Sequence, residues 1–265
     1  MPSNNYNKIW DNTLGAAIPT DNPHAVSVSL PYWQDIVDYE EGDARVINSM
    51  KAGYQRFYIN PITQQLFDKY RHKLANENED IFIFPSRRIA LDCIKYLQYA
   101  INITDYQLHD LEHATAIIFD KKYYNDFKNY WQHTGNIISS RLAEDILNDN
   151  VQSYDSYYYE SLQEHINNYC PVGKENIYLL PTGMAAIYQA YQAFKDIRSQ
   201  ECTIQYGFPY IDTLKILEKW PGNVLLLKNQ FNFQELKDII EKKDINFVIC
   251  EFPTNPLLEV IDVKK

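Results

Sequence analysis

The amino-acid sequence predicts an α/β fold with a parallel sheet in its C-terminal half. After residue 159, strand-like runs alternate with amphipathic runs of about ten residues, an order typical of βαβ units. With 265 residues and 45% hydrophobic side chains, the chain can also bury a large core. In addition, distinctive residues follow the carboxyl ends of the strand-like runs, where parallel sheets bind their ligands.

The elements of this half follow from hydrophobic periodicity. A helix is predicted at 161–169, strands are predicted at 177–180, 203–206, 223–227 and 245–250, and helices are predicted at 184–194, 210–219 and 233–242. We expect residues 156–265 to form the first half of a ligand-binding α/β domain whose parallel sheet is unfinished.

Two regions precede this domain. Residues 1–60 are rich in Asn, Pro and Asp with little helical periodicity, which predicts an extended N-terminal arm that docks on a partner subunit. Residues 61–155 predict a mixed α/β region or insertion. Its expected elements are helices at 62–74 and 87–101, strands at 80–86 and 115–120, and an exposed connection at 145–160.

Composition excludes several classes of partner. The net charge is −10, and no Lys/Arg run could neutralise a phosphate backbone, which argues against nucleic acid. The four cysteines form no C-x-x-C pair, so we expect reduced, core-type thiols and no metal site. The sequence has no targeting segment and no uninterrupted apolar run of the ~18 residues that a membrane span needs. We therefore expect a cytoplasmic protein with no membrane partner.

Gly183 and Met184 are the first candidate binding residues, in a Pro-Thr-Gly turn between a predicted strand and a helix. Glycine lets a ligand approach the backbone, and the free N–H groups of a helix N-terminus favour an anion such as phosphate. Alternatively, Gly183 only permits the turn and Met184 packs in the core. A nucleotide phosphate would suit the same turn, but neither G-x-G-x-x-G nor G-x-x-x-x-G-K-[ST] occurs in the chain.

Three further candidates follow later strand-like runs. Tyr210 could stack on a planar ligand, or it could cap the sheet as ordinary packing. Glu251 and Asn255 flank a rigid, proline-containing turn that would hold a polar side chain in a fixed direction, although the prolines could merely end the strand.

Tyr54 and Arg56 are candidates in the arm. They lie two residues apart, so their side chains project to the same side if the backbone is extended. Arg56 could bind an anion, but a lone exposed arginine is more often only solvated.

Taken in chain order, these segments resemble the cystathionine gamma-synthase and gamma-lyase family of pyridoxal-phosphate (PLP) enzymes, of fold type I. The resemblance rests on Y-Q-R followed by N-P in the arm, T-G-M-A-A, the Pro-Tyr junction and E-F-P-T-N-P. It is most specific for the fungal-type cystathionine gamma-synthases, through S-S-R-L-A-E, G-F-P-Y-I-D-T-L-K-I-L-E-K-W and C-E-F-P-T-N-P-L-L.

The resemblance implies a role for each candidate. The amides of Gly183 and Met184 would hold the PLP phosphate, Tyr210 would stack on the pyridine ring, and Asn255 would hydrogen-bond the ring hydroxyl oxygen. Glu251 would orient its neighbours. Tyr54 and Arg56 would reach from one subunit into the phosphate site of the other, so the resemblance implies a homodimer or higher oligomer with a shared active site.

The chain lacks three residues of the family pattern: the Schiff-base lysine, the aspartate that pairs with the pyridine nitrogen, and the arginine by which the family's C-terminal domain binds the substrate carboxylate. The family's Schiff-base lysine lies in an S-x-T-K segment well downstream of E-x-P-x-N-P, after an aspartate that pairs with the pyridine nitrogen. Neither segment occurs here, and Lys264 and Lys265 follow Asn255 too closely to serve. Because PLP chemistry requires that lysine, we expect no catalytic residue in the chain and little activity from it alone.

For a complete family protein the resemblance implies transsulfuration, in which an activated homoserine and cysteine give cystathionine. The neighbouring gamma-lyase and sulfhydrylase reactions remain open. A non-catalytic fragment or interaction subunit of the same family is the competing function.

We predict that PLP does not form a specific lysine linkage on the 265-residue chain. Borohydride reduction of the folded chain with PLP, followed by peptide mass spectrometry, should detect only the scattered labelling seen with the denatured chain. One lysine labelled to completion in the folded chain alone would contradict this prediction.

Overall fold

The computed structural model describes residues 12–152, 156–197, 202–219, 223–229, 232–255 and 257–261. The chain forms two compact units. Unit 1 consists of Met1–Leu91, Asp105–Asn125 and Ile137–Tyr154, and unit 2 consists of Asp92–Thr104, Asp126–Asn136 and Asp155–Lys265. The chain therefore passes from one unit to the other five times. The division into an arm, a mixed region and a C-terminal domain stays a prediction.

Unit 1 contains a short hairpin, several helices and an antiparallel sheet. Its elements are β1 (Ala17–Ile18), β2 (Ser27–Val28), α1 (Trp33–Glu40), α2 (Ala44–Ile47), α3 (Pro61–Leu74), β3 (Glu79–Phe84), β4 (Tyr106–Asp110), β5 (Thr115–Asp120), a 3₁₀ turn (Lys121–Tyr123) and α6 (Ser140–Leu147). Helices α4 (Arg87–Ile101) and α5 (Tyr124–Thr134) begin in unit 1 and end in unit 2.

The core of unit 1 is the sheet of order β3-β5-β4, in which every pair is antiparallel. Consecutive residues 81–84 of β3 are all fully buried, and because successive side chains point to opposite faces, both faces of this strand are covered. Helix α3 lies against β3, and the rings of Phe67 and Phe82 are 5.4 Å apart. Unit 1 thus combines α-helices with an antiparallel sheet.

Unit 2 contains the parallel sheet. Its further elements are α7 (Ser156–Tyr169), a 3₁₀ turn (Lys174–Asn176), α8 (Gly183–Ile197), β6 (Cys202–Tyr206), α9 (Ile211–Lys219), β7 (Asn223–Leu227), α10 (Phe233–Lys242) and β8 (Ile245–Cys250). The strand order is β7-β6-β8, and β6 pairs in parallel with both neighbours. The predicted α/β class with a parallel sheet is confirmed.

Helices cover both faces of this sheet. On one face, Phe233 of α10 packs on Tyr206 of β6, with ring centroids 5.8 Å apart. On the other face, Tyr191 and Phe194 of α8 contact Phe247 of β8. Phe247 pairs with Thr203, and because side chains alternate along a strand, Thr203 and Tyr206 point to opposite faces of the sheet. The carboxyl ends of the three strands are level, since Tyr206 is the register partner of both Leu227 and Cys250. Among the described residues, β8 pairs only with β6, so its outer edge is open.

Several local predictions are wrong. Residues 177–180 form no strand, because side chains of α7 bind their backbone: Gln163 Nε2 donates to the carbonyl of Ile177 at 2.7 Å, and the Tyr159 hydroxyl accepts from the amide of Leu179 at 3.2 Å. The arm is not wholly extended, since it contains α1 and α2. The predicted connection at 145–160 includes the end of α6 and the beginning of α7. The described helices include none with the length and apolar character of a bilayer-spanning segment.

Candidate functional site

The N-terminus of α8 has the geometry expected of an anion site. Thr182 is the N-cap residue, and its Oγ1 accepts a hydrogen bond from the amide of Ala185 at 3.0 Å. The amides of Gly183 and Met184 come before this, and amides in the first turn of a helix have no acceptor within the helix. Gly183 is exposed, and a Cβ atom added there would meet nothing within 4 Å. The N-terminus of α8 is therefore exposed at Gly183, where the first N–H group has no acceptor within the helix.

The roles of the two predicted residues differ from each other. Gly183 has no positive φ, so the turn does not require glycine, contrary to the alternative interpretation that Gly183 only permits the turn. Met184 is 5% exposed and packs in the core, as that alternative states. A side chain at position 183 would extend into open space beside the helix N-terminus.

Gly135, which no sequence signal indicated as a site residue, follows the end of α5 and binds the α8 N-cap. Gly135 has a φ of 64°, its amide donates to the carbonyl of Trp131 at 3.2 Å, and its carbonyl accepts from Thr182 Oγ1 at 3.2 Å. A Cβ atom at Gly135 would collide with Thr182 Oγ1. Glycine is therefore required at this position for both conformation and space.

Two residues before Gly135, His133 binds the first turn of α9. Its Nδ1 lies 2.8 Å from Oδ1 of Asp212, and the two side chains are 12% and 1% exposed. Asp212 lies two residues after Tyr210, the predicted stacking residue. The end of α5 thus contacts the beginning of α8 and the beginning of α9, and we call residues 133–135 the bridge.

Tyr210 and Glu251 are brought together by the parallel register. Because Tyr206 and Cys250 are partners at the carboxyl ends of β6 and β8, the segments that follow them begin side by side. Glu251 Oε2 accepts a hydrogen bond from the amide of Tyr210 at 3.0 Å. Glu251 Oε1 is buried and has no hydrogen-bond partner within the described chain. Glu251 thus binds the backbone of Tyr210, and the role toward the cofactor that the resemblance implies for Glu251 stays a prediction.

Asn255 lies on an exposed turn just beyond Glu251. The turn is fixed by Thr254, which is fully buried, and whose Oγ1 and carbonyl accept from the amides of Glu259 and Leu258 at 3.0 and 2.8 Å. The structure thus places the Asn255 side chain at the surface, with a rigid backbone behind it.

An aromatic cluster fastens α5 to α8 behind the bridge. The rings of Tyr130 and Tyr188 meet edge to face, with centroids 6.1 Å apart, and Asn136 Nδ2 donates to the Tyr130 hydroxyl at 3.4 Å. Burial raises the pKa of both tyrosines well above the usual value, so both hydroxyls stay protonated near neutral pH. These tyrosines support the site and are not bases.

Tyr54 and Arg56 belong to unit 1, and there the geometry differs from the prediction. Residues 54–58 form a turn rather than an extended segment, since the amides of Phe57 and Tyr58 both donate to the carbonyl of Tyr54. Arg56 is 3% exposed, so it is not a solvated arginine. Its Nε donates to the Tyr54 hydroxyl at 3.3 Å, and its guanidinium lies over the rings of Tyr54 and Phe57.

A partly buried hydrogen-bond network fixes this turn within unit 1. Gln55 Nε2 donates to Ser140 Oγ at 2.8 Å, and Gln55 Oε1 accepts from the Ser140 amide at 2.9 Å. His24 extends the network, with Nδ1 2.9 Å from Ser140 Oγ and Nε2 3.2 Å from Glu144 Oε2. The S-S-R-L-A-E segment thereby holds the backbone next to Arg56.

The cysteines take different environments. Cys93 and Cys202 are buried, and burial raises the pKa of both thiols. Cys170 is exposed, so the expectation of four core-type thiols is wrong for that residue. The described residues contain no cluster of three or more His, Cys, Asp or Glu side chains that could hold a metal ion.

Comparison with known proteins confirms the resemblance to the fungal-type enzymes. Residues 62–139 match the family model of the fungal trans-sulfuration enzyme N-terminal domain. A cystathionine gamma-synthase of Saccharomyces cerevisiae is 34% identical over 154 residues, and a second protein of that yeast, YML082W, is 40% identical over 154 residues. A cystathionine gamma-synthase-like enzyme of Amanita muscaria is 26% identical over 340 aligned positions. No solved structure matches the chain.

The matches cover part of each relative. The alignments take in 51% and 52% of this chain for the two yeast proteins but 24% of each of those proteins. The Amanita alignment takes in 92% of this chain and 56% of that enzyme. Nearly all of this chain aligns with the Amanita enzyme, and it spans about half the length of that enzyme.

Gly135→Ala should destabilise unit 2 through Thr182. A left-handed alanine costs about 1–2 kcal/mol, and the overlap with Oγ1 should add about 1–3 kcal/mol. Gly42→Ala is the matched control, because Gly42 also has a positive φ but a Cβ atom there meets nothing within 4 Å. Urea unfolding in a Thr182→Ala background should remove the additional cost, and an equal loss in both backgrounds would contradict the contact.

Proposed function

We propose that the chain is the N-terminal portion of a PLP-dependent carbon–sulfur transferase of transsulfuration, similar to cystathionine gamma-synthase and built on fold type I. Its substrates would be an activated homoserine and cysteine. The observation that carries the proposal is a set of three hydrogen bonds, Glu251 to the Tyr210 amide, Asp212 to His133 and Thr182 to Gly135, which are linked by the short chain segments 210–212 and 133–135. These contacts join three of the four segments to which the resemblance assigns cofactor contacts.

The residues present fit PLP. The N-terminus of α8 begins at the exposed Gly183, beside which a Cβ atom would meet nothing within 4 Å, and a helix N-terminus with free space suits a phosphate. The half-buried Tyr210 can supply the face of an aromatic ring. Beside it, Glu251 Oε1 is buried and has no hydrogen-bond partner among the described residues, so this oxygen can still accept a hydrogen bond. In the proposed site the amides of Gly183 and Met184 hold the phosphate and Asn255 hydrogen-bonds the ring hydroxyl oxygen. When bound, PLP supplies an electron sink for carbanion chemistry.

The chain's own residues bind and orient in this proposal. Glu251 accepts a hydrogen bond from the Tyr210 amide, so the backbone that carries the ring is held relative to the ends of β6 and β8. Tyr130 and Tyr188 remain protonated and keep the helices packed. We propose that the Schiff-base lysine, the aspartate partner of the pyridine nitrogen and the substrate-carboxylate arginine come from a further C-terminal portion, as in a protein about twice as long.

A non-catalytic fragment or interaction subunit is the second candidate function. The open outer edge of β8 favours it, because an unpaired strand edge is a ready site for another chain. The gamma-lyase and sulfhydrylase reactions are chemical variants of the first candidate that use the same cofactor contacts.

For the assembly, we propose a cytoplasmic homodimer or higher oligomer in which the arm of one subunit completes the phosphate site of the other. The Arg56 guanidinium is held by two aromatic rings and by the Gln55–Ser140 hydrogen bonds beside it. A cation held in this way loses little conformational freedom when it binds phosphate.

Pyridoxine 5′-phosphate should bind the chain, and Gly183→Val should weaken that binding by roughly ten- to hundredfold, the value of one or two charge-assisted hydrogen bonds. The valine side chain would occupy the open space, yet the melting temperature should hold because nothing lies within 4 Å of the Cβ position. Ala186→Val, on the exposed second turn of α8, is the control. Isothermal titration calorimetry that finds no binding to the unaltered chain would overturn the proposed function.

Arg56→Ala should weaken the same binding by a similar factor, and a mixing experiment tests which subunit provides the arginine. If the site is shared, equal mixing of Arg56→Ala and Gly183→Val chains restores about one quarter of the sites, since half of the dimers are mixed and each mixed dimer has one intact site. If native mass spectrometry detects mixed dimers but no site is restored, Arg56 acts within its own subunit.

A further inference from the structure

The bridge contacts both helices that carry the proposed ligand contacts. We propose that His133 and Asp212 are positioning residues that fix Tyr210 relative to the phosphate-binding amides of α8. They would thereby set the preference for a phosphate that carries an aromatic ring over phosphate alone. This inference rests on the proposed function of the site.

The connection to α9 runs through a buried carboxylate. Asp212 is 1% exposed, and a buried carboxylate needs its hydrogen bonds, so the 2.8 Å contact with His133 Nδ1 contributes to fixing where α9 begins. Asp212 also lies in the first turn of α9, where the helix dipole favours a negative charge. Any shift of this turn moves Tyr210, two residues earlier.

The connection to α8 runs through a backbone carbonyl. Gly135 accepts from Thr182 Oγ1 at 3.2 Å, and the same oxygen accepts from the Ala185 amide, so the bridge binds the residue that caps α8. The same short segment, residues 133–135, therefore contacts both the turn proposed to bind phosphate and the helix that follows Tyr210.

The bridge itself is rigid. Thr134, between His133 and Gly135, is 2% exposed, and its hydroxyl donates to the carbonyl of Tyr130 at 2.7 Å and accepts from the amide of Asn136 at 3.2 Å. Asn136 is also buried. Because these hydrogen bonds hold the backbone of the bridge, the distance between His133 and Gly135 stays constant.

The proposal separates two affinities. His133 lies on the α9 side of the bridge, and the Gly135–Thr182 contact does not depend on the imidazole. Loss of the imidazole should therefore release Tyr210 while the first turn of α8 keeps its cap. Binding of inorganic phosphate should persist, and the additional affinity contributed by the ring should fall.

The experiment compares pyridoxine 5′-phosphate with inorganic phosphate on the full chain. His133→Ala should weaken binding of pyridoxine 5′-phosphate by about tenfold, the scale of one lost stacking contact, and change phosphate binding less than about twofold. His165→Ala, on the exposed surface of α7, is the matched control and should change neither.

A second pair of variants decides the outcome if His133→Ala does not fold. His133→Asn places an amide nitrogen near the Nδ1 position and should keep the ratio of the two affinities. His133→Gln places its amide nitrogen farther along the side chain and should lower that ratio. Equal losses for both ligands, or equal behaviour of the Asn and Gln variants, would overturn the positioning role.

Failure of the proposed function would look different. If the unaltered chain binds neither ligand, or binds phosphate but gains nothing from the ring, the cofactor site itself is wrong and the positioning role falls with it. If the unaltered chain prefers pyridoxine 5′-phosphate and every His133 variant retains that preference, only the positioning role is overturned.

Discussion

The arrangement of the candidate site depends on the contact between the end of α5 and the beginnings of two other helices. The first N–H groups of a helix have no acceptor within the helix. In this chain, residues from other elements bind the beginnings of α8 and α9. Thr182 caps α8 and binds Gly135, while His133 binds Asp212 in α9. Glu251 then joins α9 to the end of β8. The parallel sheet orders the strands, whereas these contacts fix the positions of the segments beyond the strands relative to one another.

The sequence predicted the regular part of unit 2 well. Strands β7 and β8 and helix α10 begin and end where the hydrophobic periodicity places them, because their burial is governed by the sheet itself. The strand predicted at 177–180 was wrong for the opposite reason. Its continuous run of apolar residues suits a strand, but its backbone groups bind side chains of α7, and periodicity carries no information about such partners.

The same limit applies to the site. The strand-to-helix junctions identified Gly183, Tyr210 and Glu251, since each junction has a local signal. His133 and Gly135 have none, because they lie 79 and 47 residues from the groups that they bind. The extended-chain rule for Tyr54 and Arg56 failed locally as well: the backbone turns there, and yet the turn brings the guanidinium and the phenol together.

The path of the chain between the two units has a consequence for how the protein can be made or divided. Each unit draws on three separate stretches of sequence, and the crossings lie between Leu91 and Tyr154. No single cut therefore yields one complete unit and leaves the other intact, and no single fusion point would exchange one unit between relatives. During synthesis, unit 1 can close only after residue 154 has left the ribosome, while the two early stretches of unit 2 must wait for the parallel sheet.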